Sequence, residues 1–249
     1  MKALTTRLLA LNPNAGDVNP QNGSYAANQD SGQEYSVQAV RCKRPGCAKI
    51  GMSIDGTGST KSFQNGVPAI AGYALRALGG SISKVDVDLW KHGDEDCGEE
   101  PVQLVQSGTV EQAIDAIGTI QYQGGGDLEE THAEQVQRLL DVTAWGSRIT
   151  YCRNVLLMFL TDDTKPLKSG KSMGQLGAEI KAKGVKLILV CQSTDYLQEL
   201  VNAAGGFLIP ISNDPNTAEI QKVMNSLCNT MTKMMTSVGG TIPMSAIVA

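Results

Sequence analysis

The sequence predicts an α/β fold: an open, mostly parallel central sheet flanked by helices on both faces. Three observations predict it. Two short runs, NVLLMFLT (154–161) and VKLILVC (185–191), are apolar almost throughout and bounded by turn residues, the mark of strands buried on both faces. Strand candidates alternate with segments of helical periodicity from Ala48 to Met235, the order that builds a parallel sheet. An all-helical chain is excluded because those apolar runs are too short for helices. Composition agrees, since 41% hydrophobic residues with 21 basic and 25 acidic side chains among 249 residues specify a globular core rather than a disordered chain.

Residues 1–40 are rich in Asn, Gln, Gly, Ser and Ala, and NPNAG, NPQNG and NQDSG are turn signals, so this stretch is expected as an N-terminal extension outside the core sheet. The domain itself is expected over 41–235. AKIGMSID (48–55) is its first strand, and VPAIAGYALRALGG (67–80) is a helix that stops at its glycines. KVDVDLW (84–90) alternates as a strand, and PVQLVQ (101–106) is a second, shorter one. Between them HGDEDCGEE packs five carboxylates into a loop that is expected to stay out of the core. TVEQAIDAIGTI (109–120) and EETHAEQVQRLLDVTAW (129–145) are helices, the second with apolar positions at Val136, Leu139, Leu140 and Trp145.

After the buried strand 154–161, KSMGQLGAEIKAKG (171–184) is helical, 185–191 is the second buried strand, and TDYLQELVNAAGG (194–206) is a helix ending in glycines. GFLIPIS (206–212) is a strand whose Pro210 assigns it to the sheet edge. NTAEIQKVMNSLCNTMTKMM (216–235) is the last helix, and its stripe of Met224, Leu227, Met231 and Met234 is spaced for core packing. Residues 236–249 form a C-terminal tail.

The formal charge of −4 and the 4% aromatic content argue against nucleic acid as a partner. No apolar stretch is long enough for a transmembrane segment, and Thr5, Thr6 and Arg7 interrupt the N-terminal run before it resembles a secretory signal. A cytoplasmic location is therefore expected, with secretion as the alternative. Of six cysteines, Cys42 and Cys47 are spaced for a short disulfide in CKRPGC, whereas Cys152 and Cys191 are expected as small buried hydrophobes.

Open parallel sheets gather ligands outside the carboxyl ends of their strands. Three such loops carry oxygen ligands here. Asp55, Thr57 and Ser59 follow the first strand, spaced two apart so that one turn can point all three inward. A carboxylate with two hydroxyls is a partial shell for a hard divalent cation. Thr161, Asp162 and Asp163 follow the central strand, Asp163 being expected in solvent. YQGGGDLEETHA supplies three glycines, Asp127, and Glu130 at a helix start. Each residue also has an ordinary use: Asp55 and Ser59 as turn formers or helix caps, Glu130 as a first-turn carboxylate. Crowded carboxylates raise one another's pKa unless a positive charge intervenes, and a bound cation supplies one. His132 reaches this site only if its helix turns it there, and His92 is expected as a surface histidine.

Asp55-Gly-Thr57-Gly-Ser59 resembles the DxSxS signature of the von Willebrand factor A (vWA) family, with Thr57 in place of the first serine. The resemblance covers 48–235 and includes Asp162 in LTDD after the central strand. It implies a metal-ion-dependent adhesion site (MIDAS) holding Mg2+, with Mn2+ or Ca2+ as alternatives, and a protein partner that completes the shell with an exposed Asp or Glu. Members of the family act in adhesion and in complex assembly, including complexes with AAA+ ATPases. The middle loop is closer to the D-x-P-E loop of integrin β-type members, with Glu129 in place of proline; the resemblance then puts Glu130 at the ion and Asp127 at the same or an adjacent ion. The implied ligands are Asp55, Thr57, Ser59, Asp162, Glu130 and Asp127, and the implied function is non-enzymatic protein binding.

Two enzyme resemblances share the first loop. GTGSTKS lacks the spacing of a phosphate-binding loop. SIDGTGST is similar to the D-x-D-G-T loop of haloacid dehalogenase-like phosphatases, and that Mg-dependent hydrolase is the alternative function, although Ser53 stands where its nucleophilic aspartate belongs.

Overall fold

The first strand, β1 (Cys47–Asp55), sits in the middle of the sheet and is buried on both faces from Ala48 onward. Its alternation sends Ala48, Ile50, Met52 and Ile54 into one core. Lys49, Gly51, Ser53 and Asp55 fall on the opposite face and are equally buried, so this face is polar inside the protein. The structure, a computed structural model, describes residues 47–63, 66–80, 82–126, 129–146 and 152–236. Cys42, Asp127, the expected N-terminal extension and residues 237–249 lie outside these.

Five more strands join β1: β2 (Val85–His92), β3 (Val102–Gly108), β5 (Cys152–Phe159), β7 (Val185–Cys191) and β8 (Phe207–Pro210), in the order β3-β2-β1-β5-β7-β8. All neighbouring pairs are parallel except β2 with β3, which makes the sheet mostly parallel with one antiparallel edge. Two-residue strands β4 (Glu129–Glu130) and β6 (Asp163–Thr164) form a separate parallel pair. Helices α1 (Gly66–Gly79), α2 (Val110–Ile117) and α6 (Thr217–Thr236) share a core with one face of the sheet. Helices α3 (His132–Val142), α4 (Met173–Lys183) and α5 (Asp195–Ala204) cover the other. Leu227, Met231 and Met234 are buried in the first core, as their spacing requires, and Pro210 ends the edge strand β8.

Gly51 belongs to the polar face of β1 because Trp145 crosses it there. A Cβ on Gly51 would stand 2.8 Å from Trp145 Cη2 and 3.1 Å from Thr143 Oγ1, so only glycine lets the indole close over the strand. On the same face Lys49 Nζ meets Asp88 at 3.0 Å and donates to Ser107 Oγ at 2.9 Å, tying β1, β2 and β3 together.

Four expectations are corrected. Cys47 pairs with Cys152 rather than with Cys42: the two face each other in the β1–β5 register with Cα atoms 4.6 Å apart, and a sequence separation of 105 hides the pair from local spacing. Cys152 is accordingly not a free buried hydrophobe, whereas Cys191 is free and buried. Helix α3 starts at His132, not at Glu129, because Glu129 and Glu130 are drawn into β4 by pairing with Asp163 and Thr164. The acidic loop is partly core: Asp94 is fully buried and bonded to Lys165 at 2.9 Å, while Glu95 takes Arg138 at 2.7 Å, both counter-charges arriving from distant segments. Finally, His92 is buried rather than exposed.

Candidate functional site

The chain runs outward from β1 to β2 and β3, then returns to the other side of β1 with β5, so the crevice beyond Asp55 and Leu160 is the sheet's switch point. Loops from both strands meet there around Asp55, which has no exposed surface. Its Oδ1 accepts from Thr57 N (2.8 Å) and Thr57 Oγ1 (2.7 Å), and its Oδ2 from Thr161 N (3.2 Å) and Thr161 Oγ1 (2.5 Å). Burial alone would raise the Asp55 carboxyl; the neighbouring His132 and His92 and the donors from Thr161 and Thr57 outweigh it and hold it below the usual range. Burial, helped by the Asp55 charge, pushes the Tyr122 phenol up to about 12.

Ser59 Oγ lies 2.9 Å from Thr57 Oγ1 and 2.7 Å from Thr161 Oγ1. Both threonine hydroxyl protons are committed to Asp55, so Ser59 has one proton for two oxygen neighbours. One of these close oxygen pairs therefore has no hydrogen between its atoms. The cluster is rich in lone pairs and poor in protons.

A cleft of about 380 Å³ opens beside it, lined by Gly58, Ser59, the glycines 124–126, Glu130 and Asp162. Glu130 is 2% exposed and comes to the cleft through β4, with Lys165 N donating to its carbonyl at 2.8 Å. The glycine loop docks on the first loop, Gly58 N donating to Gly124 O at 3.0 Å, and Glu99 Oε1 accepts from Gly125 N at 2.9 Å. Gly125 has φ +80, and a Cβ there would stand 3.4 Å from Glu130 Oε1 and 3.3 Å from Thr57 Cβ, so glycine keeps the cradle open.

The structure thus brings Asp55, Thr57, Ser59, Asp162 and Glu130 to one place and adds Thr161. Ser59, Glu130 and Asp162 border the cleft, while Asp55 and Thr57 stand behind them. Asp162 is left-handed, at φ 57, and accepts from Asn213 Nδ2 at 3.2 Å. Asp163 turns elsewhere: it accepts from Thr194 Oγ1 at the start of α5 and from Thr164 N, so it is a structural tie rather than the solvated residue expected. Among the described residues no group of three or more His, Cys, Asp and Glu side chains is arranged to hold a metal; the oxygen donors here are hydroxyls as much as carboxylates.

Beneath the cluster runs a string of buried polar groups. His132 Nε2 lies 2.6 Å from the Thr161 carbonyl, His132 Nδ1 3.0 Å from His92 Nε2, and His92 Nδ1 2.8 Å from Ser53 Oγ, which also accepts from Gln135 Nε2 at 3.1 Å. A carbonyl only accepts, so His132 carries a proton on Nε2. With a single proton on that ring, His92 donates to it from Nε2 and Ser53 donates to His92 Nδ1, the Trp90 carbonyl lying farther from the Ser53 hydroxyl at 3.4 Å. Burial first, then His132, push His92 down to about 3, which keeps its ring neutral. Ser53 is thereby occupied and has no exposed surface, so it offers no nucleophile in the phosphatase position.

No family model matches the sequence, and no curated protein matches it. Among solved structures the chain is similar to the crystal structure of the SpRpn10 VWA domain, with a TM-score of 0.52 and 13% identity over 78% of this chain and 99% of that one. At that identity the likeness is one of fold, and the described residues form an α/β domain with the three-layer architecture of a VWA domain.

Proposed function

We propose that the chain is a non-enzymatic protein-interaction module that binds an acidic partner residue through a divalent cation at the switch-point cleft. The observation that carries this reading is the proton deficit at Ser59, where three hydroxyl oxygens crowd together with both threonine protons already given to Asp55. A cation beside Ser59 relieves that crowding by giving the lone pairs a positive charge to face. The donor set fits a hard ion because every group is an oxygen. Ser59, Asp162 and Glu130 would hold it from the cleft side, with Thr57, Thr161 and Asp55 orienting the hydroxyls behind; Asp127 adds a further carboxylate to the same loop. Mg2+ is the expected ion, and Mn2+ or Ca2+ would serve as substitutes. A partner Asp or Glu would complete the shell from solvent.

Capture of binding proteins from source cells tests this when done in Mg2+ and again in chelator, with the wild type and Glu130→Gln. Partners retained only by the wild type in Mg2+ are expected. Partners held equally in chelator and by E130Q would refute the cation bridge.

A further inference from the structure

We propose that His132 is a positioning residue for the cation site: it holds the Thr161–Asp162 peptide with the Thr161 carbonyl turned into the protein. The inference rests on the cation-site reading. A trans peptide is planar, so fixing the Thr161 carbonyl fixes the Asp162 N–H on the opposite side and with it the path of the chain into Asp162. That path is not one a side-chain residue takes freely, because Asp162 has φ 57. His132 Nε2 bonds this carbonyl at 2.6 Å. The same residue, Thr161, gives its N–H and hydroxyl to Asp55, so one imidazole secures the backbone of two site residues at once.

His132 is itself held. Its Nδ1 accepts from His92 Nε2, and His92 is fixed in turn by Ser53, to which Gln135 donates. Ser53, His92, His132 and Gln135 are each at most 1% exposed. Buried polar groups are costly unless bonded, and both nitrogens of both rings are bonded here in one direction that ends on the Thr161 carbonyl. Orienting bonds behind metal ligands typically account for 10- to 100-fold in metal affinity, about the size of effect expected here.

Two conservative variants separate this role from packing. A glutamine amide reaches roughly the place of Nε2 and an asparagine amide that of Nδ1, so His132→Gln keeps the donor to Thr161 while His132→Asn keeps only the link to His92. In Mn2+ titrations of the full chain, H132N should bind about tenfold or more weakly, and H132Q within about threefold of wild type. Without cation, amide exchange at Thr161 should accelerate in H132N and stay near wild type in H132Q. Nitrogen-15 NMR of the unmodified protein should show the His132 proton on Nε2. A bare Nε2, an unchanged Thr161 exchange rate in H132N, or equal impairment of both variants would overturn the proposal. If the wild type binds no Mn2+, the cation-site reading fails, and the exchange and NMR results still decide what His132 does.

Discussion

Lowering the pH from 7 to 5 should cost the folded chain about 2 kcal/mol through one side chain, His92. An ordinary histidine titrates near 6.5, and burial with the adjacent His132 pushes His92 down to about 3. Between those values the unfolded chain binds a proton that the folded chain refuses, so stability falls as pH falls, approaching 1.36 kcal/mol per pH unit. Integration gives a loss close to zero at pH 7 and about 2 kcal/mol at pH 5. Asp55 and Asp94, whose folded values lie below the ordinary carboxylate range, contribute stability that is present above about pH 4 and lost only as pH falls further, outside this window. Urea unfolding of wild type and His92→Gln at both pH values measures the difference. The wild type should lose about 2 kcal/mol more than H92Q on acidification; equal losses would refute the buried neutral histidine.

Asp55→Ala should destabilise the cation-free protein by about 2–6 kcal/mol, since the hydroxyls can turn to one another but the Thr57 and Thr161 amides lose their acceptor at about 1–3 kcal/mol each. Urea unfolding in chelator checks it, and a change under 0.5 kcal/mol would contradict the hydrogen-bond fan. Gly51→Ala should cost about 1–3 kcal/mol by driving Trp145 off β1, visible as a shift in tryptophan emission as well as in the unfolding midpoint. Reducing the Cys47–Cys152 bond should cost about 2–5 kcal/mol, and peptide mapping should find Cys47 linked to Cys152 and not to Cys42. Recovery of that pair in reduced form from cells would agree with the cytoplasmic expectation, because such bonds persist in oxidising surroundings.

The sheet was legible because Val155–Phe159 of β5 and Leu187–Cys191 of β7 are apolar without interruption, as burial on both faces requires, and because Pro210 marks an edge. The convergence of Asp55 and Asp162 was legible because both follow parallel strands, whose carboxyl ends share one side of the sheet. What stayed hidden was everything set by partners far along the chain. Asp94 enters the core only because Lys165 meets it, and Cys47 finds Cys152 only through strand register. Glu130 leaves the helix because Thr164 offers a strand partner, which no local capping pattern announces. The buried histidines did leave a signal: AKIGMSID places lysine, glycine, serine and aspartate on one face of a central strand. Such a face must be answered by polar groups from elsewhere, here Asp88, His92 and Gln135.

Titration calorimetry with Mg2+ and Mn2+, on wild type, Ser59→Ala and Asp162→Ala, tests the cation at the switch point most directly. One principal site is expected in the wild type, with thermal stabilisation that grows with cation concentration as binding to the folded state alone requires. Both variants should lose that heat and that stabilisation while unfolding cooperatively without cation. A wild type with neither heat nor stabilisation from either ion, or variants that bind as the wild type does, would contradict it.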